Sequence, residues 1–469
     1  MKPPDYRDRL STGIVHFGPG AFHRAHQADY VDRLLHDDPR WGIAAVSLRS
    51  AATVDALKAQ DGLYTLAVLD AQTSFRTIGA HSRFFGPNDG ACVRQQLRDP
   101  AVRIVTSTVT EKGYCLAGDG TLDFTHQDIS RDLLQPEQPV SLIGWLAMGL
   151  ADRRADALAP FTPLCCDNMA ANGRKLQAAV LAFAQRIDPQ IARWIEGEVA
   201  FPNTMVDSIT PATDDRLRSL VRDGTGFDDA VPVSREAYVQ WVLEDGLPPG
   251  SPDFRSVGVT LTPDVEAWEK AKLRILNGAH SSLAYFGLLL GLETVAEAMA
   301  HPALSAFVER LVTEHIIPTL EQSPIDLHHY AAATLVRFRN PAIHHRLAQI
   351  AWDGSQKLPY RLLDTIRDAR AAGRPLDRLA VPVAAWILFV ERQARRGVPI
   401  VDPLADLLTA LGRSPDPVEG ILRLRQVFPE SLACDDSFRS AVTTAAGAIR
   451  AQGACAAIGA LAMMSGTAK

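Results

Sequence analysis

The stretch Lys272-Leu-Arg-Ile-Leu-Asn277-Gly-Ala-His280 sets an amine, an amide and an imidazole within nine residues. At α-helical spacing of about 100° per residue, with Lys272 at zero, His280 falls near about 80° and Asn277 near about 140°. Glu269, one turn earlier, falls near about 60°. These residues can then face one pocket. A lysine changes its proton affinity readily when desolvated, and amide and imidazole groups hydrogen-bond an oxygen beside it. That chemistry suits moving a proton on and off an alcohol. Spacing alone fits equally well an amphipathic helix with incidental polar residues.

The elements that would position such a site begin near the N-terminus. Gly13-Ile-Val-His-Phe17 reads as a short buried strand, followed by Gly18-Pro19-Gly20-Ala21-Phe22-His23 and a long helical pattern. Strand, glycine turn and helix form the context of a dinucleotide fingerprint, in which backbone approaches the pyrophosphate at a helix N-terminus. Gly18, Gly20, Ala21, Phe22 and His23 are therefore candidate cofactor residues. His23 stands where a third Gly or Ala is usual, and a purely structural βα turn is the competing reading. A second strand spans 43–48. No acid follows it until Asp55, so a ribose 2′-hydroxyl partner is missing; Arg49 and Ser50 there are compatible with a 2′-phosphate.

Further along, 64–69 and 75–78 read as a hairpin, and 102–109 as a β-branched strand ending in Thr110-Glu111-Lys112-Gly113-Tyr114. Ligands bind beyond the carboxyl ends of strands in such sheets, which makes Glu111 a site candidate; a solvated turn carboxylate is the alternative. A helix is expected over 139–155 and a strand over 158–166. Asp167 and Asn168 then either cap a helix at 172–186 or meet a ligand. Pro202 and Pro211 mark 200–211, which contains Asp207, as an edge or irregular strand. Residues 239–247 continue this half. From Asp264 the pattern is helical, with helices expected at 266–297, 302–318, 327–336, 341–352, 359–371, 379–395, 402–412, 417–427 and 435–463. Pro382 is expected to kink its segment or mark its start. The fold expected is α/β, with a Rossmann-type domain over 1–260 followed by an all-α domain over 261–469. Lys272 then lies near the junction, and a cleft between domains is a common place for a small-molecule site.

A chain of 469 residues supports two domains, and 47% hydrophobic with 22% charged residues is ordinary for a globular protein. The net charge of −6, without a long basic run, disfavours nucleic acid and anionic membranes as partners. The uncharged run 275–292 carries Asn277, His280, Ser281 and Ser282, and reads as a buried helix rather than a membrane span. The N-terminus shows no apolar signal segment. Six cysteines with no CxxC or Cys/His metal spacing suggest neither a disulfide framework nor a metal site, and fit a reducing cytoplasm.

Together, GPGAFHRAHQADY (18–30), TVTEKGYC (108–115), CDNMAANG (166–173), FPNTMVDSITP (201–211), QWVLEDG (240–246), KLRILNGAH (272–280) and DGSQKLPYRLL (353–363) resemble the polyol-specific long-chain dehydrogenases along nearly the whole chain. The resemblance implies a zinc-independent oxidoreductase that uses NAD, with NADP left open by the missing acid. It implies Lys272 as general acid/base and Asn168 and Asn277 as donors to the developing oxyanion. By the same resemblance, His280, Asp207 and Lys357 orient substrate hydroxyls or hold the site. Glu111 and Glu269 pass the proton to solvent. The substrate class implied is a sugar acid or polyol. Gln349, EKGYC and DGSQKLPYRLLD bring the chain closest to the members that act on D-mannonate and D-fructuronate, with D-mannitol/D-fructose or an arabinitol as the alternative. A uronate carboxylate needs a cation, for which Lys357 and Arg361 are candidates. The family resemblance makes a monomer the default. A silent nucleotide- or sugar-binding protein is the competing class, and Lys272, Asn168, Asn277 and His280 together weigh against it.

Overall fold

The computed structural model describes residues 1–320 and 323–463. The chain divides into two compact units, Met1–Glu266 and Ala267–Lys469.

In the first unit the strands are β1 (Thr12–Phe17), β2 (Gly42–Val46), β3 (Tyr64–Leu69), β4 (Ser74–Ile78), β5 (His81–Phe85), β6 (Ile104–Ser107), β7 (Thr162–Cys165), β8 (Thr204–Asp207), β9 (Val233–Glu236), β10 (Gln240–Glu244) and β11 (Thr260–Thr262). Five of them form a parallel sheet in the order β5-β2-β1-β6-β7. Order reverses between β1 and β6, which opens a crevice at their carboxyl ends. Every residue of β1 is buried, as a parallel sheet covered on both faces requires. Alternate residues serve opposite faces. Val15 and Phe17 join a core with Val93, Leu146 and Val180 from helices Gly90–Leu97, Leu142–Ala155 and Asn172–Ile187. Ile14 faces a second core with Val31 and Leu57.

The expected hairpin is β3–β4, antiparallel, with β9 added in parallel to β3. β8 is the edge of a three-stranded sheet in the order β11-β10-β8, in keeping with its flanking prolines. The single helix expected after Gly20 is instead two, Ala21–Ala25 and Gln27–Leu34. The break falls at His26 (φ −120°, ψ −87°), whose Nε2 reaches the Gln240 carbonyl at 2.8 Å. A buried side-chain bond to β10 thus interrupts a sequence that holds no breaker.

The second unit is helical among the described residues, around a core containing Tyr285, Phe286, Phe307 and Trp386. Its longest helix, Asp377–Arg396, carries Pro382 inside it, so the proline does not mark the start. The helix expected over 341–352 shrinks to Leu347–Ile350, and the one expected over 435–463 is split at Gly453 (φ +78°). Among the described residues, three segments wind as π-helix: Lys272–Asn277, Leu311–Ile316 and Pro359–Leu363. The first packs against both others. Among the described residues, no helix is long and apolar enough to cross a membrane.

Candidate active site

In the first unit the carboxyl ends of β1 and β6 hold the glycine turn. Gly18 has φ +90°, and a Cβ there would lie 2.2 Å from the Thr108 carbonyl oxygen, so no side chain is tolerated. Its N–H donates to the Val46 carbonyl at 2.9 Å, tying the turn to β2. Its carbonyl accepts from the Thr108 hydroxyl at 2.7 Å and from His16 Nε2 at 3.0 Å. A carbonyl only accepts, so His16 carries its proton on Nε2, and Nδ1 accepts from the Thr106 hydroxyl at 2.7 Å. Gly20 is exposed, and the nearest atom to a Cβ built there is 3.9 Å away. Backbone is therefore approachable from outside at this position, as a dinucleotide phosphate requires. Ala21 and Phe22 are half-exposed beside it.

His23 turns inward. Its ring stacks on His16 with centroids 3.4 Å apart, and its Nε2 meets His81 Nε2 at 3.1 Å. All three histidines are fully buried. Burial holds His16 and His81 down to about 3, and His23 well below the usual histidine range, so the trio is neutral. In a dinucleotide fingerprint the third residue packs helix against strand. Here a stacked imidazole fills that place, and His23 offers a ligand its backbone rather than its ring. Arg49 is exposed and ion-paired with Asp128.

Glu111 is exposed in a short 3₁₀ turn, Glu111–Tyr114, directly after β6. Asn168 is exposed just past β7. The residue before it, Asp167, accepts from the Val109 N–H and the Tyr114 hydroxyl, each at 2.8 Å. Burial raises the Asp167 carboxyl above its ordinary value; those hydrogen bonds pull the other way, and Glu111 adds to the rise. Asn172 is buried, and its side chain joins the Cys165 carbonyl (3.1 Å) to the Thr204 carbonyl (2.9 Å). That bond fixes the end of β7 against β8, whose last residue, Asp207, is buried.

In the second unit Lys272, Glu269 and His280 are buried at 7%, 8% and 5% exposure, and Asn277 is half-buried. Here the α-helical angles fail. Lys272–Asn277 winds with i→i+5 bonds, so one turn closes between Lys272 and Asn277. The two residues stand a turn apart instead of diverging by about 140°. Gly278 comes next; a Cβ there would lie 2.9 Å from the Arg361 carbonyl oxygen, so its absence allows the close approach of Pro359–Leu363.

The His280 ring stacks on Phe338 (4.2 Å) and meets His345 edge-on (5.0 Å). Among the described residues, His280 Nε2 and His345 Nδ1 are buried without a hydrogen-bond partner. His280 lies well below the usual histidine range because of burial, then His345, Arg361 and Arg337. His345 is pushed down to about 4 by burial, then Arg361 and Lys357. Arg361 donates to the Ser281 hydroxyl at 3.2 Å, and Lys357 Nζ to the Ile350 carbonyl at 3.5 Å. Two neutral imidazoles with open nitrogens thus sit among three cations, an environment suited to hydroxyls and an anion. The structure brings His280, Lys357 and Arg361 into one cluster, and adds His345 and Arg337, which no motif had marked. The paired histidines His344-His345 after Pro341 were the available signal.

Cys115, His126 and Asp128 each place a possible ligand atom within 4.8 Å of the others, a grouping their spacing does not reveal. Asp128 is engaged by Arg49, and His126 Nδ1 accepts from the Asp128 N–H at 3.2 Å. Burial pushes the Cys115 thiol up to about 11, so it stays protonated.

A parallel sheet with a glycine turn at its switch point, followed by a helical unit with a buried lysine, defines a two-unit dehydrogenase class. Residues 12–256 match the mannitol dehydrogenase Rossmann domain and 264–450 the mannitol dehydrogenase C-terminal domain. The chain belongs to the mannitol dehydrogenase family and is an oxidoreductase acting on CH–OH groups. It is 40% identical to D-mannonate oxidoreductase of Escherichia coli K12 over 458 residues, covering 95% of this chain and 94% of that one. It is also 40% identical to mannitol 2-dehydrogenase of Cereibacter sphaeroides over 416 residues, 87% of each chain. Among solved structures it resembles Pseudomonas fluorescens mannitol 2-dehydrogenase in ternary complex with NAD and D-mannitol (TM-score 0.85, 36% identity, 97% and 95% covered). It also resembles a substrate-free D-sorbitol dehydrogenase (TM-score 0.89, 33% identity, 97% and 96% covered).

Proposed function

We propose that this chain is an NAD-dependent, zinc-independent oxidoreductase that interconverts D-mannonate and D-fructuronate. The observation that carries the substrate choice is Arg361, bonded to Ser281 beside the edge-on pair His280 and His345, with Lys357 near His345. A sugar acid brings a carboxylate for the cations and hydroxyls for the imidazoles. Gly18, Gly20, Ala21, Phe22 and the His23 backbone would hold the dinucleotide; the open space at Gly20 fits that role. NAD is preferred to NADP because Arg49, the cation at the end of β2, already pairs with Asp128. The nicotinamide, when bound, supplies the hydride acceptor or donor at the reacting carbon.

The chain's own residues handle the oxygen and its proton. In oxidation, neutral Lys272 takes the hydroxyl proton; in reduction, protonated Lys272 returns it to the carbonyl oxygen. Asn277, one π turn away, and Asn168 donate hydrogen bonds to the oxygen as negative charge develops. Glu269 and Glu111 pass the proton onward, and Asp207 and His280 orient substrate hydroxyls. D-Mannitol/D-fructose is the second reading, favoured by the similarity to mannitol 2-dehydrogenases.

The test follows NADH and NADPH oxidation with fructuronate, tagaturonate, fructose and xylulose. Fructuronate with NADH is expected to be fastest. Strong activity with fructose and none with either uronate would overturn the substrate, and a preference for NADPH would overturn the cofactor. Lys272→Ala is expected to lower kcat by about 10³-fold or more while NADH binding persists. Near-normal turnover in that variant would remove Lys272 from its role.

A further inference from the structure

We infer that Asp167 is a positioning residue that holds the Glu111 turn in a strained backbone conformation and thereby sets the reach of Glu111. The inference rests on the role proposed for Glu111 above.

The turn Glu111–Tyr114 is bracketed by two residues in unfavourable backbone regions. Thr110 lies at φ +65°, ψ 160°, and Cys115 at φ +53°, ψ +43°. A β-branched residue at positive φ is a genuine outlier, and such conformations persist only where the surroundings enforce them. What enforces this one is a single carboxylate. Asp167, at the end of the neighbouring strand β7, accepts from the Val109 N–H and the Tyr114 hydroxyl. These donors lie on both sides of Glu111, so one side chain grips the turn before and after the residue it presents.

The grip is itself backed. Tyr114 is fully buried, and its one hydroxyl proton goes to Asp167. Its oxygen accepts from the Ser107 hydroxyl at 2.9 Å and the Cys165 thiol at 2.9 Å. Ser107 and Cys165 are Cα partners in the β6–β7 pairing. The chain of bonds therefore runs from the sheet through Tyr114 to Asp167 and out to the turn. The Asp167 carbonyl accepts from the Met169 N–H at 2.9 Å and from Asn172 at 3.3 Å, which ties the backbone around Asn168 to the same residue. Helix capping, the ordinary task of an Asp or Asn after a strand, is not what Asp167 does. Its carboxylate turns back to β6.

Asp167→Asn is the first test, with Tyr114→Phe as a variant that removes one hydroxyl and no charge. Asp167→Asn is expected to lower kcat about 10- to 100-fold, with the dinucleotide Kd changing less than about threefold. Its pH dependence of kcat should come to match that of Glu111→Gln. Combining Asp167→Asn, or Tyr114→Phe, with Glu111→Gln should cost little beyond the worse single variant. Amide exchange at Val109 should quicken in Asp167→Asn and stay unchanged in Glu111→Gln. Multiplicative losses in the double variants, or unchanged exchange at the Val109 amide, would overturn the inference. If Asp167→Asn fails to fold, Tyr114→Phe carries the same comparison. A wild-type chain inactive on the whole substrate panel would count against the reading of the previous section; the exchange measurement needs no substrate and still decides whether Asp167 holds the turn.

Discussion

The trio His16, His23 and His81 makes acid the weak point of the first unit. All three rings are fully buried beneath the glycine turn, and burial holds His16 and His81 at about 3. In the unfolded chain a histidine titrates near about 6.5. Between those values the unfolded state binds more protons, so stability is present above about pH 6.5 and is lost as pH falls toward about 3. One pH unit corresponds to about 1.4 kcal/mol per group. Lowering pH from about 7.5 to 5 therefore costs about 2 kcal/mol for His81 alone. The perturbation that isolates this is His81→Gln. At about pH 7.5 the variant should be less stable by about 1–3 kcal/mol, because His23 Nε2 loses its partner at 3.1 Å. Between about pH 7.5 and 5 its stability should fall by about 2 kcal/mol less than that of the wild type, since one buried titrating group is gone. Urea unfolding of the cofactor-free protein at several pH values measures both numbers. Parallel stability curves for variant and wild type would show that these imidazoles do not set the acid response, and would refute the reasoning.

Gly18→Ala places a methyl 2.2 Å from the Thr108 carbonyl oxygen at φ +90°. Dinucleotide affinity measured by fluorescence titration should fall at least about tenfold, as the clash and a left-handed alanine each displace the turn; an unchanged Kd would separate this turn from the cofactor. Arg361→Gln should raise KM for fructuronate about 10- to 100-fold, the worth of a hydrogen bond to a charged group. Its kcat/KM for a neutral ketose should change less than about threefold, and equal losses on both substrates in steady-state assays would mean that Arg361 only supports Ser281 and the helix packing.

Features written in short-range patterns were readable from the residues. The strand and turn at 13–20 carry buried β-branched residues and glycines whose need is local, and β1 with Gly18 at φ +90° follows directly. The helical texture after Asp264 was legible for the same reason. What could not be read is set by tertiary contact. No residue type signals i→i+5 winding, so the angles assigned to Lys272 and Asn277 followed the α-helix until packing against Pro359–Leu363 showed otherwise. The histidine trio depends on sheet pairing: β1 brings His16 beside β2, and β2 brings in His81 from β5. His345 and Arg337 reach His280 only through the fold of the helical unit, and the bare His344-His345 pair gives no sign of which partner it meets. Asp167 stood in view beside Asn168, yet its partners Val109 and Tyr114 lie more than 50 residues away.

A π turn also has a bearing on how this chain tolerates change in length. It is the form a helix takes when it houses one residue more than its flanks require. Removing any one residue between Lys272 and Asn277 would let the run relax to ordinary helix, with its ends intact. Residues after the deletion, including His280 and the glycine that admits Arg361, would keep their phase relative to Lys272, and Asn277 would stand four residues on, again about one turn away. The segment is thus a place where both the fold and the register between the lysine and its companions could survive a gene shortened by one codon.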